Sequence, residues 1–277
     1  MTIDRVVQPL VACLGNPVAG NPTQFVMSRI AREAGLDWRF FTSEVPTDQF
    51  ETAFRGVQAL GLAGASVLEP FQAVVVPMLD SVSDQAATLG RVSVVRCDGD
   101  AWIGDYTLGS AIMRLLSARL GGHSLREDGT MSPQSILVWG SQQTAQLIDG
   151  LLPSLDGDFA VIHQESSQSS DGLVSLERPV RALVLESSAV EQLYANPKQA
   201  TRWLQQVAWA TTPVVVCTQG RLRRGDGTWD WFDGRNAHIA DEIELMTHRA
   251  AVDFHFWTGY ESSIELIREA LEEYLQW

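Results

Sequence analysis

The chain has 277 residues and a formal net charge of −14, from 34 acidic and 20 basic side chains. This acidic balance repels phosphate backbones and argues against nucleic-acid binding. A hydrophobic content of 45% with 19% charged residues is typical of a globular protein with a real core. No apolar run is long enough to span a bilayer, and the N-terminus lacks the layout of a secretory signal, so we expect a cytoplasmic protein.

The three cysteines are single and far apart, each in or beside an apolar, strand-like run: Cys13, Cys97 and Cys217. This pattern predicts buried, reduced thiols. No cluster of cysteine and histidine has the spacing of a zinc site, so we expect no metal.

Strand and helix signals alternate through the first third of the chain. The apolar run VVQPLVACLG predicts a strand that ends at the turn residues Gly15-Asn16-Pro17. A helix (TQFVMSRIAREAGL), a strand (DWRFFTSEV) and a second helix (PTDQFETAFRGVQALG) follow. In GASVLEPFQAVV, a strand signal runs into Glu69-Pro70, and a helix-like run is predicted from Phe71. A hairpin is predicted with its turn at Asp98-Gly99.

The second half has the pattern of a parallel sheet covered on both faces. Its four near-continuous apolar runs are SILVWG, FAVIHQ, RALVLE and PVVVCTQ, with helical segments between them. This order predicts a doubly wound domain. The polar stretch from His123 to Pro133 precedes it as a candidate linker, and an amphipathic helix (SSIELIREALEEYLQW) ends the chain.

Several phrases, in this order, resemble those of the shikimate dehydrogenase family. GNPVAGNPTQ is similar to the family's GNPIAHSxSP, and GLAGASVLEPFQA is similar to GxxGxNVTxPxK. GRVSVV and GDYTLG resemble GAVNT and GYNTDG, and LMTHRAAVDFHFWTG resembles LVxQAAxxFxxWTG. The resemblance covers nearly the whole chain.

The resemblance implies an α/β fold of two domains. A substrate-binding domain would comprise residues 1–108 and 245–277, with the C-terminal helices packing back on it. A Rossmann-like, doubly wound domain would comprise residues 109–244. The family reduces 3-dehydroshikimate to shikimate with NADPH, in aromatic amino acid biosynthesis, and a lysine and an aspartate transfer the proton.

The family's substrate-binding positions fall on residues that are mostly polar but changed in type: Asn21, Thr23, Ser66, Gln72, Ser93 and Arg249. Asn21 and Thr23 could equally be turn residues. Arg249 could pair with a surface acid, although the anion-facing interpretation is favoured.

The catalytic lysine falls at Gln72 and the catalytic aspartate at Leu108. Gln72 does not ionise and Leu108 does not hydrogen-bond, so neither can transfer a proton. The single lysine of the chain, Lys198, lies far away in a predicted exposed helix. We therefore predict no catalytic residue of the family type.

The predicted cofactor loop, VWGSQQTA, stands where the family has GAGGAA. Gly140 is retained, but Ser141 and Gln142 replace small residues that let backbone N–H groups approach a pyrophosphate. Glu165 falls at the position that grips the 2′-phosphate of NADP. Glu242 and Glu244, interpreted as surface charges, fall near the nicotinamide.

Two functions remain as hypotheses. The favoured one is a shikimate dehydrogenase-like pseudoenzyme that binds a metabolite or a partner; the alternative is an active oxidoreductase of the shikimate/quinate dehydrogenase family with altered catalytic residues. We expect no cofactor, or NADP if the family activity is retained. The expected ligand is a small carboxylate or polyol, with a protein partner or a homodimer as further alternatives. Trp229 and Trp231 suggest an exposed partner-binding loop.

Overall fold

The computed structural model describes residues 8–120, 133–165, 178–218 and 227–276. Most of the candidate linker, residues 123–132, lies outside these ranges. Within the described chain, no helix is long and apolar enough to cross a membrane.

The described strands are β1 (Leu10–Gly15), β2 (Arg39–Glu44), β3 (Gly64–Val67), β4 (Ser81–Val82), β5 (Val94–Asp98), β6 (Ala101–Asp105), β7 (Gln134–Gly140), β8 (Phe159–Glu165), β9 (Val180–Leu185), β10 (Trp209–Cys217) and β11 (His238–Ile239). The α-helices are α1 (Thr23–Glu33), α2 (Phe50–Ala59), α3 (Asp84–Leu89), α4 (Leu108–Arg119), α5 (Gln142–Leu151), α6 (Ser187–Ala195), α7 (Pro197–Gln206), α8 (Gly227–Asp233), α9 (Glu242–Thr258) and α10 (Ile264–Leu275). Short 3₁₀ turns are Thr47–Gln49, Val76–Met78 and Leu152–Ser154.

The chain divides into two compact units, an α/β arrangement as predicted. The first unit combines the residues up to Thr107 with those from Thr247 onward, and the second is Leu108–Met246.

The first unit is built on a six-stranded mixed sheet in the order β2-β1-β3-β5-β6-β4. The pairs β1–β2, β1–β3 and β4–β6 are parallel, whereas β5 pairs antiparallel with both β3 and β6. The predicted hairpin of β5 and β6 is confirmed. Asp98 ends β5 and pairs with Ala101, so the two turn residues are Gly99 and Asp100, and Gly99 has a φ of 66° that favours glycine.

The helix-like run predicted from Phe71 is wrong. Residues 70–80 form turns and the short 3₁₀ segment Val76–Met78. Three successive β-branched valines, residues 74–76, disfavour an α-helix, and Pro77 has no N–H with which to continue one. Phe71 is fully buried and stacks on Phe50 with ring centroids 4.2 Å apart, so tertiary packing holds this corner in place.

The second unit contains a five-stranded, fully parallel sheet in the order β11-β10-β9-β7-β8. Numbered within the unit, this is the doubly wound order 2-1-3-4-5. The strand order reverses between β7 and β9. In open α/β sheets, the crevice at the carboxyl ends of such a strand pair is where ligands bind.

Two buried apolar clusters pack against the parallel sheet. One contains Ile136, Val138, Ala182 and Val184 with side chains of α4 and α5, and the other contains Leu137, Leu183 and Leu185 with Trp203. Alternate residues along one strand thus enter different clusters, because successive side chains point to opposite faces of a sheet. Burial on both faces explains the near-continuous apolar runs of the sequence.

The predicted exposed loop around Trp229 and Trp231 is wrong. Both residues lie on α8, and both are half-buried against the second cluster. The ring of Trp231 is 5.6 Å from that of Trp209 and 5.0 Å from that of Phe232, measured between centroids. The sequence did not reveal that β10 would offer these rings an apolar surface. Lys198, as predicted, is exposed on a helix, α7.

Candidate functional site

The candidate substrate site of the first unit starts in the loop after β1. Asn21 and Thr23 are half-buried at the start of α1. The Asn21 side-chain oxygen accepts a hydrogen bond from the backbone N–H of Thr23, at 3.0 Å, and from the Sγ of Cys13, at 3.6 Å. Asn21 therefore has a turn-forming role. It also borders a groove of about 500 Å³, lined by Arg29, Arg32 and other residues of this unit.

A row of polar side chains crosses the strands β2, β1 and β3. Thr42, Cys13 and Ser66 are direct register partners, so their side chains emerge on the same face. Burial raises the pKa of the Cys13 thiol, although contacts with Ser66, Thr23 and Thr42 oppose this shift. Cys13 is thus held as a neutral thiol inside the sheet.

Helix α9 packs over the face of the sheet that carries this row. A Cβ added at Gly64 would lie 2.8 Å from Cδ1 of Trp257, and the indole N–H of Trp257 donates to the carbonyl of Val95 at 3.0 Å. Gly64 and Ser66 are two residues apart on β3 and share that face. Arg249 and Asp253 precede Trp257 by two turns and by one turn, so the three residues form one stripe of the helix.

A buried polar cluster lies under this stripe. The hydroxyl of Thr107 lies 2.5 Å from a carboxylate oxygen of Asp253, and Ser93 Oγ lies 3.2 Å from Thr107 Oγ1. The backbone N–H of Thr107 also donates to Ser93 Oγ at 3.1 Å. All three side chains are buried. We call Cys13, Ser66, Ser93, Thr107 and Asp253 the buried polar cluster.

Asp253 has an unusual environment for a carboxyl group. Burial raises its pKa to about 6, and the negative charge of Asp105 acts in the same direction. The positive charge of Arg249 and the hydrogen bond from Thr107 oppose that rise. Arg249 is half-buried and makes no hydrogen bond or ion pair with another residue of the described chain. Asp253 is therefore its electrostatic partner within the unit.

Gln72, at the position of the family's lysine, is enclosed by its neighbours. Its side chain is buried; its amide N–H donates to the carbonyl of Val67 at 3.1 Å, and its amide oxygen accepts from Arg91 at 2.7 Å. Arg91 also forms an ion pair with Glu69 and lies over the ring of Tyr106, 5.6 Å from the centroid. The amide of Gln72 is thus engaged at both ends.

The other changed catalytic position has become part of a core. Leu108 is the first residue of α4 and packs, partly buried, against the hydrophobic cluster of the second unit. A carboxylate at this place would be desolvated by that packing. Leu108 therefore has a structural role.

The predicted cofactor loop of the second unit lies at the strand-order reversal. Gly140 ends β7, Ser141 precedes α5, and Gln142 is the first residue of that helix. The side-chain hydroxyl of Ser141 accepts from the backbone N–H of Thr144 at 3.2 Å, a standard N-cap. Gln142 is exposed.

The carboxylate of Glu186 fills the space in front of this helix start. It accepts hydrogen bonds from the backbone N–H of Ser141 at 3.0 Å, from its hydroxyl at 2.8 Å, and from the hydroxyl of Thr144. A Cβ added at Gly140 would come within 2.6 Å of the Glu186 side chain, so the retained glycine makes room for that residue. A helix N-terminus attracts an anion, and an internal carboxylate supplies one here.

Glu244 is not the surface charge that the sequence suggested. Its side chain is only 6% exposed and accepts from Arg119 Nε at 2.7 Å and from the His238 ring at 2.9 Å. Burial works to raise the pKa of Glu244, but the hydrogen bonds and positive charges of His238 and Arg119 outweigh it and lower the pKa. Glu242 is exposed, as expected.

Sequence reasoning missed Asp253, Arg91 and Glu186. A lone acid in the apolar phrase AAVDFHFW was a signal for Asp253, because unpaired acids are rare at core positions. Arg91 stands where the family phrase GAVNT has alanine, which pointed to a change beside Gln72. Glu186 gave no local signal, since its partners are more than 40 residues away in the chain. Among the described residues, no group of three or more potential ligands could hold a metal ion.

Two compact α/β units, one with a mixed sheet and one with a parallel, doubly wound sheet of order 2-1-3-4-5, define a two-domain α/β protein. A family model for the substrate-binding domain of shikimate dehydrogenase matches residues 13–95. Shikimate dehydrogenase (NADP(+)) of Halorhodospira halophila is 31% identical over 277 residues, covering 94% of this chain and 97% of that protein. The chain therefore belongs to the shikimate dehydrogenase family.

Comparisons with more distant relatives are consistent with this family assignment. Shikimate dehydrogenase (NADP(+)) of Bacillus subtilis is 23% identical over 279 residues, covering 95% of this chain and 96% of that protein. The crystal structure of shikimate 5-dehydrogenase from Thermus thermophilus, in complex with NADP(H) and shikimate, superposes with a TM-score of 0.69 at 17% identity. The match covers 96% of this chain and 100% of that chain, and it shows that the fold is shared.

Proposed function

We propose that this protein is a shikimate dehydrogenase-like pseudoenzyme. It binds a small metabolite in its first unit and does not carry out NADPH-dependent reduction of 3-dehydroshikimate. The observation that carries the proposal is the position of Glu186. Its carboxylate takes the donors at the start of α5, where a doubly wound sheet presents N–H groups to a ligand phosphate.

A pyrophosphate does not fit these residues as they stand. It would have to displace Glu186 from its hydrogen bonds to Ser141 and Thr144. The displaced carboxylate would stay tethered beside a ligand of the same charge. Like charges at such short range oppose binding.

The changes at the family's two proton-transfer positions support the same conclusion. Gln72 has no ionisable proton, and its amide is already bonded to Val67 and Arg91. Leu108 is packed in a core. General acid–base catalysis contributes roughly 10²–10⁴-fold to enzyme rates, and the family's two proton-transfer positions no longer supply it.

Titration of the full chain with NADPH, followed by the fluorescence of the nicotinamide, tests this function. We expect no saturable binding by the wild type and no reduction of NADP⁺ with shikimate. Saturable NADPH binding together with shikimate oxidation would establish the alternative, an active oxidoreductase of the family with altered catalytic residues.

The substitution E186A tests the stated reason. It removes the carboxylate and leaves the donors of Ser141 and Thr144 open, so inorganic pyrophosphate should stabilise the E186A variant against heat more than it stabilises the wild type. E191A, a change at an exposed acid on the nearby helix α6, is the matched control for a general loss of negative charge. Equal stabilisation of wild type, E186A and E191A would contradict the role given to Glu186.

A further inference from the structure

The stripe formed by Arg249 and Asp253 on α9 has features of a binding site for an anion. Arg249 carries five N–H donors and is half-buried, yet it makes no hydrogen bond or ion pair within the described chain. A planar guanidinium is well suited to bind a carboxylate through two parallel hydrogen bonds. The family phrase has glutamine at this position, so the arginine adds a full positive charge to the site.

The charges around Arg249 decide when it can accept an anion. Asp253, one turn further along α9, is buried, and its carboxyl group is bonded to Thr107. The charged or titratable groups that act on this carboxyl from neighbouring elements are Asp105 at the end of β6 and the Cys13 thiol on β1. Asp105 is anchored by hydrogen bonds from Ser83 and from the backbone N–H of Tyr106.

We propose that the first unit binds a small organic monoanion through Arg249, and that binding is coupled to the uptake of one proton by the carboxyl group of Asp253. This inference rests on the proposed function, because it names the ligand class and the regulation of the same site. The coupling follows from electrostatics. An anion on Arg249 neutralises the positive charge that stabilises the Asp253 carboxylate, and it adds a negative charge nearby.

Protonation of Asp253 leaves the site able to take the anion. One proton from solvent joins a carboxylate oxygen of Asp253, and no other bond forms or breaks. With Asp253 ionised, its negative charge compensates the positive charge of Arg249. With Asp253 neutral, that positive charge is available to the ligand. The environment that raises the pKa of Asp253 to about 6 places this change close to neutral pH.

The sign of the coupling fixes the pH dependence. Well below its pKa of about 6 the carboxyl group is already protonated in the free protein, so binding takes up little proton and is tightest. Well above that pKa, tight binding takes up a proton, and affinity falls as pH rises, by at most about tenfold for each pH unit. An anion site without this coupling would bind equally at both pH values.

Isothermal titration of the full chain at pH 5.5 and pH 7.5 measures this effect. The probe is shikimate, the carboxylate present in the Thermus thermophilus structure, and its methyl ester is the neutral control. We expect shikimate to bind at least fivefold more tightly at pH 5.5, whereas the ester should bind weakly and without pH dependence. At pH 7.5, heats in buffers of different ionisation enthalpy should report net proton uptake.

Two sets of variants separate the role of Arg249 from that of Asp253. R249Q should abolish the preference for shikimate over its ester, and R249K, which keeps the charge, should retain part of it. D253N keeps an acceptor for Thr107 but cannot titrate, so it should bind shikimate equally at both pH values. Thermal unfolding of each variant checks that it is folded.

The outcomes distinguish this inference from the proposed function. Shikimate binding that is absent at both pH values, independent of pH, or unaffected by R249Q would overturn the inference. If NADPH also fails to bind, the pseudoenzyme proposal survives that result. If NADPH binds while the Arg249 and Asp253 variants behave as expected, the inference on anion binding stands and the pseudoenzyme proposal falls.

Discussion

Restoring the family's lysine at position 72 should destabilise the protein, because the surroundings of Gln72 have changed with it. Q72K removes the amide oxygen that accepts a hydrogen bond from Arg91 and brings an ammonium group towards that guanidinium. The new side chain could still donate to the carbonyl of Val67, as Gln72 does. The loss of stability in Q72K therefore arises from the changed contact with Arg91.

Two contributions set the magnitude. A hydrogen bond to a charged group is worth about 1.5–3 kcal/mol. Two positive charges about 4 Å apart repel by about 4 kcal/mol at an effective dielectric constant of 20 and by about 1 kcal/mol in water. The Arg91 side chain is 41% exposed and paired with Glu69, which favours the lower value of the repulsion. We expect Q72K to cost about 2–4 kcal/mol, which lowers Tm by roughly 4–12 °C.

A double-mutant cycle with R91A isolates this effect. R91A alone leaves the buried amide oxygen of Gln72 without its donor, at a cost of about 1–3 kcal/mol. The double variant Q72K/R91A has neither the repulsion nor the unsatisfied amide, and it restores the lysine and alanine of the family phrases. It should be at least about 2 kcal/mol more stable than the sum of the single variants predicts.

Urea denaturation and thermal unfolding of the full-length variants provide the measurement. R96A, which removes an arginine of similar exposure on β5 of the same unit, is the matched control and should combine additively with Q72K. If Q72K and R91A are additive to within about 0.5 kcal/mol, the two positions are not coupled and the account of Gln72 is refuted.

Two further predictions concern pH and stability. Folding raises the pKa of Asp253 from 3.8 to about 6, so the folded state binds a proton more tightly than the unfolded state does. The stability of the wild type therefore falls as pH rises from about 4 to 6. D253N should be more stable than wild type at pH 7, by at most about 3 kcal/mol, and should lose this advantage at pH 4. An equal difference at both pH values in urea denaturation would disprove the assignment. Glu244 has the opposite sign: its pKa is lowered, so its contribution is present at neutral pH and disappears as pH falls below the ordinary range of a glutamate. E244Q should destabilise at pH 7 and have little effect at low pH, whereas E242Q, at an exposed neighbour, should have little effect at either; equal losses in E244Q and E242Q would contradict the buried ion pairs.

Local sequence patterns were sufficient to predict secondary structure where one segment determines its own conformation. The apolar runs of the second half predicted parallel strands, and β7–β10 form such a sheet. The turn residues Asp98-Gly99 predicted the hairpin, because glycine readily adopts the positive φ found there. Predictions were wrong where packing from elsewhere decides, as for the corner after Phe71 and for Trp229 and Trp231 on α8.

The sequence by itself determined that residues 72 and 108 cannot transfer protons, because a residue's chemistry does not depend on its surroundings when it has no ionisable group. Only the tertiary structure decided which distant side chains the residues of the two candidate sites contact. Arg91 meets Gln72 across 19 residues, Asp253 meets Thr107 across 146, and Glu186 meets Ser141 across 45. Such contacts depend on which strand ends and helix faces the fold brings together. No local spacing in the chain encodes them.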